Sequence, residues 1–447
     1  NAVYGNVFDV FFTRGILLFD LFNFYNIRMK GFIILGLGMS SVLSAQIDTA
    51  QVKEIQEVSF TKRLPVSKEI INVQKDLGAK NLGQDLPILL KNQMSVVATS
   101  DAGNGVGYTG FRIRGSAGTS INVMLNGVPY NDSESQGTFF VNIPDMASSA
   151  SQIVIQRGVG TSSNGTASFG ASVNILTKNP EEKPYFLTNQ SAGSFNTFKH
   201  SFEAGTGKFL NNLLSVSARY SIINSDGYID RAFSKLNSYN INALFEKGNT
   251  KLRFLTFGGK EKTYQAWNGI DKATYEANPK FNYSGAIYDA NWENIIGFYD
   301  NETDNYRQNH YHLLWEQKLG KIWNLETTFH LTHGEGYYEN YKQDAKFSKY
   351  DLPNIVENGN TITRTDFIRK KWLDNDFYGV VSNLYGNFEN LNLNFGVTAN
   401  QYFGRHFGNV SGVKYTDIFE HEYYRNNALK NEVSGFAKAI YKMEKLE

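Results

Sequence analysis

The sequence contains no cysteine. That excludes a disulfide scaffold, a thiolate metal centre and a cysteine nucleophile, and seven histidines leave little imidazole chemistry. Nothing in the composition calls for a cofactor. An excess of charge is missing too: 44 Lys+Arg stand against 43 Asp+Glu, so no net field favours nucleic acid. Long apolar runs are scarce, and a mean hydropathy of −0.38 does not fit a bundle of membrane helices, each needing about 18 or more apolar residues. A transmembrane β-barrel passes this test, because its strands alternate apolar and polar residues. The 447 residues allow two to four ordinary domains or one large structure, at about 100–200 residues per domain.

What is present begins with two unusual ends. Met29-Lys30, the apolar stretch 31–43 and Ser44-Ala45-Gln46 read as a secretory signal peptide over 29–45, cleaved after Ala45. Residues 1–28 are aromatic-rich but carry Asp9, Arg14 and Asp20, so they read as upstream sequence translated in frame rather than as a membrane segment. At the other end the chain stops at Glu447 without a closing feature, and the expectation is a sequence truncated at both ends.

From about residue 183 onward the text is strands. Leu214–Ile222, Tyr239–Ala243 and Leu391–Asn400 alternate apolar with polar, as do Trp323–Thr332 and Tyr311–Glu316. About ten strands are expected, near 185–194, 197–206, 213–223, 237–246, 250–260, 308–318, 322–333, 376–387, 391–402 and 431–442. Short turns at 208–212, 247–249, 319–321 and 388–390 alternate with long loops over 224–236, 261–307, 334–375 and 403–430. Long loops at one end only are expected of an outer-membrane barrel. A secreted β-sandwich or propeller is the competing reading of this region alone.

Residues 63–182 read as a small mixed α/β unit, with a helix over Leu82–Leu90 and short strands at Phe111–Arg114, Asn122–Leu125 and Ile153–Gln156. Gly105-Val106-Gly107-Tyr108-Thr109-Gly110 fits GxGxxG, but a strand follows it where a dinucleotide site needs a helix, so a mobile glycine loop is expected. His310, His312 and His330 share the polar parity of their strands, and with His333 they are a weak metal candidate against a background of lumen-facing polar residues.

Four ordered stretches carry a resemblance. They are Phe111-Arg112-Ile113-Arg114-Gly115, Val123–Asp132 with Asn126-Gly127-Val128-Pro129, Ile153–Gly165 with Arg157-Gly158, and Phe169–Lys178 with Gly170 and Asn174. Together they resemble the plug domain of TonB-dependent outer-membrane receptors, whose patterns read IRIRG, hDGVP, RGPxSxxYG and GGxINIxTK. Ser135–Pro144 looks most like receptors of Bacteroidetes-type bacteria. Asn126 stands where Asp is usual, Val154 where Glu is frequent and Asn164 where Tyr is usual. Upstream, Glu57-Val58-Ser59-Phe60-Thr61 resembles the TonB box within a periplasmic segment over 46–62, with Ser59 and Phe60 departing from the pattern.

The resemblance implies a transmembrane β-barrel, about ten of an expected 22 antiparallel strands over 183–447, with an N-terminal α/β plug in its lumen. It implies no enzyme chemistry, no cofactor and no nucleic acid. The implied work is TonB-dependent import of a scarce nutrient, a ferric siderophore or other metal complex. The implied partners are TonB with its inner-membrane complex, and outer-membrane lipid and lipopolysaccharide. A SusC-like glycan importer is the alternative within transport, and an outer-membrane barrel enzyme the alternative outside it. Ligand contacts are expected at the plug apex on Asn104, Tyr108, Asn131, Asp132 and Gln136, and on the long loops. Enclosed Arg112, Arg114 and Arg157 would need carboxylate partners, with Glu246, Glu316 and Glu326 of the lumen face as candidates.

Overall fold

The computed structural model describes residues 68–159 and 169–442. The signal-peptide region, the TonB-box residues Glu57, Val58, Ser59, Phe60 and Thr61, and Gly165 of the third motif lie outside the described residues.

The first described part is an α/β unit. Its strands are β1 (Lys68–Asn72), β2 (Val96–Ser100), β3 (Thr109–Ile113), β4 (Ile121–Leu125), β5 (Val128–Pro129), β6 (Ala150–Arg157) and β7 (Ala171–Thr177). Five of them form a sheet in the order β1-β6-β7-β4-β5, in which only the β4–β7 pair is parallel, and β2 pairs with β3 separately. The expected helix is present but shorter, α1 (Leu86–Leu89), because Asp85 in extended conformation precedes it and Pro87 lies in its first turn. A second short helix, α2 (Met146–Ser149), leads into β6. Ile121, Val123, Leu125, Ile153, Ile155, Val173 and Ile175 are at most 1% exposed and form the heart of the core. The turn joining β4 to β5 is Asn126-Gly127, both with φ above 50°, the combination a tight hairpin turn requires.

The second part is one antiparallel sheet of ten strands. They are β8 (Pro184–Gly193), β9 (Thr197–Phe209), β10 (Leu214–Ser225), β11 (Ser234–Lys247), β12 (Thr250–Tyr264), β15 (Thr303–Leu319), β16 (Trp323–Lys346), β19 (Arg364–Asn387), β20 (Leu391–Gly412) and β21 (His421–Tyr441). Each pairs with its neighbour in sequence, and β8 and β21 are the two edges. All ten expected strands are there. Small hairpins β13 (Ala286–Tyr288) with β14 (Ile295–Phe298), and β17 (Ile355–Glu357) with β18 (Asn360–Ile362), sit in the connections, and a short helix α3 (Lys272–Ala277) precedes the first of them. Among the described residues no helix is long and apolar enough to cross a membrane, which says nothing about crossing by strands.

The sidedness of this sheet is inverted relative to a water-soluble protein. On β10 the serines are inside, Ser215 at 2% and Ser221 at 1% exposure, while Tyr220 is 47% exposed. Phe254, Phe329 and Val397 continue the pattern at 45%, 44% and 55% exposure on the same outer face. A soluble sandwich would bury these side chains and expose the serines. The arrangement fits a wall whose outer face meets hydrocarbon.

Strand ends differ from expectation on one side. Four expected strands run ten or more residues further: 322–333 continues to Lys346, 376–387 begins at Arg364, 391–402 reaches Gly412 and 431–442 begins at His421. Alternation ends where the apolar outer band ends, yet the ladder of hydrogen bonds continues beyond it. The long connections accordingly shrink to 347–363 and 413–420. They share a small core, in which Phe347, Tyr350, Phe367 and Val410 pack with Tyr415 and Ile418.

Candidate functional site in the seam between the α/β unit and the strand wall

The α/β unit rests on the polar inner face of the wall, and the seam is stitched by charged groups. Asp145 begins α2 with φ 56° and is 3% exposed. Its carboxylate accepts from Lys199 Nζ on β9 at 2.6 Å, Arg219 Nη1 on β10 at 3.0 Å and Ser221 Oγ at 2.7 Å. Asn81 Nδ2 and Ser148 Oγ donate to it from its own unit at 3.1 and 2.6 Å. Burial alone would raise this acid, but the two cations and their hydrogen bonds outweigh burial and hold it down to about 2. A second stitch lies at the end of β7. Arg253 of β12 donates through Nη2 to Thr177 Oγ at 2.7 Å and to the Lys178 carbonyl, and through Nε to Asn242 of β11 at 2.9 Å.

At the upper end of the seam, Tyr108 Oη donates toward the carboxylates of Glu261 at 3.2 Å and of Asp304. Burial, then those two acids, raise the phenol well above its usual value, so it stays a donor. Its ring meets Trp267 edge-on at 5.5 Å and Phe139 at 6.4 Å, and Trp267 in turn meets Tyr338 at 6.3 Å. This is an aromatic floor beneath the long connections. The glycine run 103–110 is packed rather than mobile: Gly105, Val106 and Gly107 are buried. A Cβ on Gly107, whose φ is +93°, would meet Ser234 Oγ at 2.5 Å. The loop folds tightly because β11 and β12 lie against it, which the motif could not reveal.

The other expected apex residues turn inward. Asn104 Nδ2 donates to Ser225 Oγ of β10 at 2.6 Å. Asn131 braces its own loop, accepting from Val123 N at 2.7 Å and donating to the carbonyls of Ile121 and Gln136, both at 2.9 Å. Asp132 Oδ1 caps the turn, accepting from Ser135 N at 2.7 Å, and Gln136 Nε2 donates to the Ser133 carbonyl at 3.0 Å. Glu134, which the sequence did not single out, reaches the wall. It accepts from Tyr402 Oη at 3.1 Å and pairs with His406 Nε2 at 2.8 Å, while Lys430 Nζ donates to the Ser133 carbonyl at 3.1 Å.

The motif residues divide. Asn126 Oδ1 accepts from Thr177 N at 2.9 Å and Asn174 Oδ1 from Gly127 N at 3.1 Å, so these two locate the β4–β5 turn against β7. Gly158 N donates to the Gly170 carbonyl at 2.7 Å, and Gly170 N to that of Ser120 at 2.8 Å. Only Arg157 is enclosed, and it pairs with Glu69 of its own unit rather than with Glu246, Glu316 or Glu326. Arg112 and Arg114 are exposed, as is Gly115, because they lie on a face of the α/β unit that the ten strands do not cover. His310, His312 and His330 behave as inner-face residues, whereas His333 faces outward beside Asp376. His310 stacks on Phe257 at 4.5 Å, His330 Nε2 lies 2.9 Å from Asn400 Oδ1, and among the described residues no three His, Asp or Glu side chains are grouped to hold a metal ion.

The strongest signals missed in the sequence were Asp145 and Arg219. Arg219 is the one charge in the serine row of β10, a departure from the pattern that could have been noticed.

Comparison with known proteins agrees with this architecture. Residues 62–172 match the family described as the TonB-dependent Receptor Plug Domain. No curated protein matches the chain in sequence. Among solved structures, the copper transporter OprC is similar with a TM-score of 0.59 at 11% identity, over 84% of this chain and 52% of that one. FpvA of P. aeruginosa, solved with heterologous pyoverdines and iron, has a TM-score of 0.57 at 10% identity, over 85% and 50%. The ferric-catecholate import receptor Fiu from K12 E. coli, in its closed form, has 0.51 at 14%, over 85% and 64%. The chain therefore spans about half the length of the first two structures it matches.

Proposed function

We propose that this chain, whose residues 62–172 match the TonB-dependent receptor plug domain and whose strand wall shares the fold of outer-membrane receptors, is a TonB-dependent receptor that imports a scarce nutrient across the outer membrane in steps energised through TonB. The nutrient we assign is a ferric siderophore or another metal complex. The observation that carries this reading is the polar seam. A folded unit with its own apolar core closes the inner face of an inside-out sheet, and charged stitches hold it there. Such contacts can be exchanged for water when the unit moves, at far smaller cost than tearing an apolar core. Ligand would meet the aromatic floor of Tyr108, Phe139 and Trp267 and the connections above it. No bond of the cargo need be broken, and transport rather than catalysis follows from the family.

The pulling point we assign is Glu57–Thr61, upstream of β1, an edge strand of the plug sheet. A partner that adds a strand there is held by backbone pairing, so removing one donor matters more than changing a side chain. Val58→Pro is expected to abolish uptake of radiolabelled ferric siderophore by whole cells while surface binding persists. Uptake at the wild-type rate would refute the assignment.

A further inference from the structure

The inner face of the wall carries a group of cations without carboxylate partners. Buried His330 on β16 and Asn375 on β19 mark the inward parity of their strands. In the same parity above them stand Tyr338, Asn340 and Lys342 on β16, and Lys371, Arg369 and Phe367 on β19. Register pairs Tyr338 with Lys371, Asn340 with Arg369 and Lys342 with Phe367, so Lys342, Arg369 and Lys371 share one small area. Lys349 joins them from the connection after β16, and the charges of Arg369, Lys349 and Lys371 all act on Lys342. Among the described residues none of the four forms an ion pair. The acid that opposes them, Glu302, is already engaged, accepting from Asn340 Nδ2 and Tyr341 N, both at 2.8 Å.

Hydrogen-bonding capacity is left over at the same place. Arg369 spends Nη2 on Asn340 Oδ1 at 2.7 Å, but its Nε is buried without a partner. The hydroxyls of Tyr350, 1% exposed, and of Tyr423 are also buried and unpartnered, and the Arg369 charge acts on both phenols. Their rings meet edge-on at 5.0 Å. Gly408 makes room for Tyr423 and its neighbour Tyr424, since a Cβ there would lie 2.6 Å from one ring and 2.2 Å from the other. A buried donor with nothing to bind is costly, and like charges without counter-ions repel, so the wall maintains a state that a bound anion would relieve. The group adjoins the aromatic floor, because Tyr338 is the ring that Trp267 meets at 6.3 Å. Phe367, one inward rung above Arg369, belongs to the small core of the two connections, which roofs the group and favours a compact occupant over a charged polymer.

We propose that Lys342, Lys349, Arg369 and Lys371, with the hydroxyls of Tyr350 and Tyr423, form a subsite for a compact metal chelate that carries several ionised carboxylates. Unpaired positive charge selects against cationic and neutral chelates. A guanidinium Nε–H with phenolic O–H groups beside it suits the paired oxygens of a carboxylate. The inference rests on the import reading above and narrows its cargo to anionic complexes.

Receptor extracted from outer membranes in detergent is titrated calorimetrically with ferric citrate and, separately, with ferrioxamine B, a cationic hydroxamate chelate. Wild type is expected to bind the citrate complex about tenfold or more tightly than the cationic one, with an affinity that falls as salt is raised. Arg369→Gln with Lys371→Gln should weaken citrate-complex binding about tenfold. Lys370→Gln, on the opposite face beside Glu339 and Glu420, should leave it unchanged. If the double variant does not fold, Tyr350→Phe with Tyr423→Phe keeps the rings and the cations. It is expected to raise the thermal midpoint of the free receptor, by removing unpaired buried hydroxyls, while lowering affinity several-fold, a pairing of signs that a purely structural role would not give. Binding to extracted receptor needs no TonB, so loss of the import reading in cells would leave this charge preference measurable, and its presence would still support the subsite. No binding of the citrate complex, equal binding of the two chelates, or undiminished affinity in the folded variants would overturn it.

Discussion

Two buried carboxyls of the plug are driven in opposite directions by their surroundings. Asp145 meets two cations and is held down to about 2, whereas Asp85 meets none and burial pushes it up to about 8, against a hydrogen bond from Thr109 Oγ at 3.1 Å. For Asp145 the folded value lies below the unfolded one, so its contribution is full above about pH 4 and is lost as pH falls toward 2. For Asp85 the folded value lies above, so folding must take up a proton, and stability declines as pH rises from about 4 to 8. Thermal unfolding of the receptor against pH should therefore separate two substitutions. Asp85→Asn, which keeps the neutral form, is expected to gain about 2 kcal/mol near pH 7 and nothing near pH 4. Asp145→Asn strands Lys199 and Arg219 and should lose about 3–5 kcal/mol near pH 7. Asp145 could not be recognised in the sequence, since its burial is decided by strands 54 to 74 residues further on. Asn126-Gly127, by contrast, was legible, because a tight hairpin needs nothing beyond its own two residues.

At the scale of elements, period-two alternation located all ten wall strands, but measured their length only within the apolar band. On β16 the pattern stops near Thr332 and the strand continues to Lys346, because both faces beyond the band meet polar surroundings and hydrogen bonding alone sustains the ladder. The same division gives a test. Leu313 is 42% exposed on the outer face within the band, and Glu335 lies outward beyond it. Leu313→Arg is expected to cost about 2–4 kcal/mol on folding into lipid vesicles, and Glu335→Gln less than about 1 kcal/mol. Equal costs would misplace the band. Sequence also could not show that the 347–363 and 413–420 connections share one core, because Phe347 and Val410 meet only after two strands have intervened.

Over the whole molecule, the plug motifs identified the unit that closes the wall, while the seam itself was invisible because its partners come from two parts of the chain with unrelated patterns. The sheet is open among the described residues: β8 and β21 each pair with a single neighbour. Unpaired strand edges cost several kcal/mol per backbone group in lipid. Expressed as these 447 residues alone, the protein is expected to aggregate or be degraded in the outer membrane, and a monodisperse, protease-resistant band would refute this. The inverted sidedness also orders events in time. A wall with serines inside and Tyr220, Phe254 and Phe329 outside has little to collapse around in water, whereas the main plug core is built mostly from its own residues, with Leu255 and Phe257 of the wall added to it and a smaller cluster joining Val106 and Val141 to Ile223 and Leu236. Folding therefore has a direction: the plug core can condense in water, whereas the strand wall needs a bilayer against its outer face before its order is favoured.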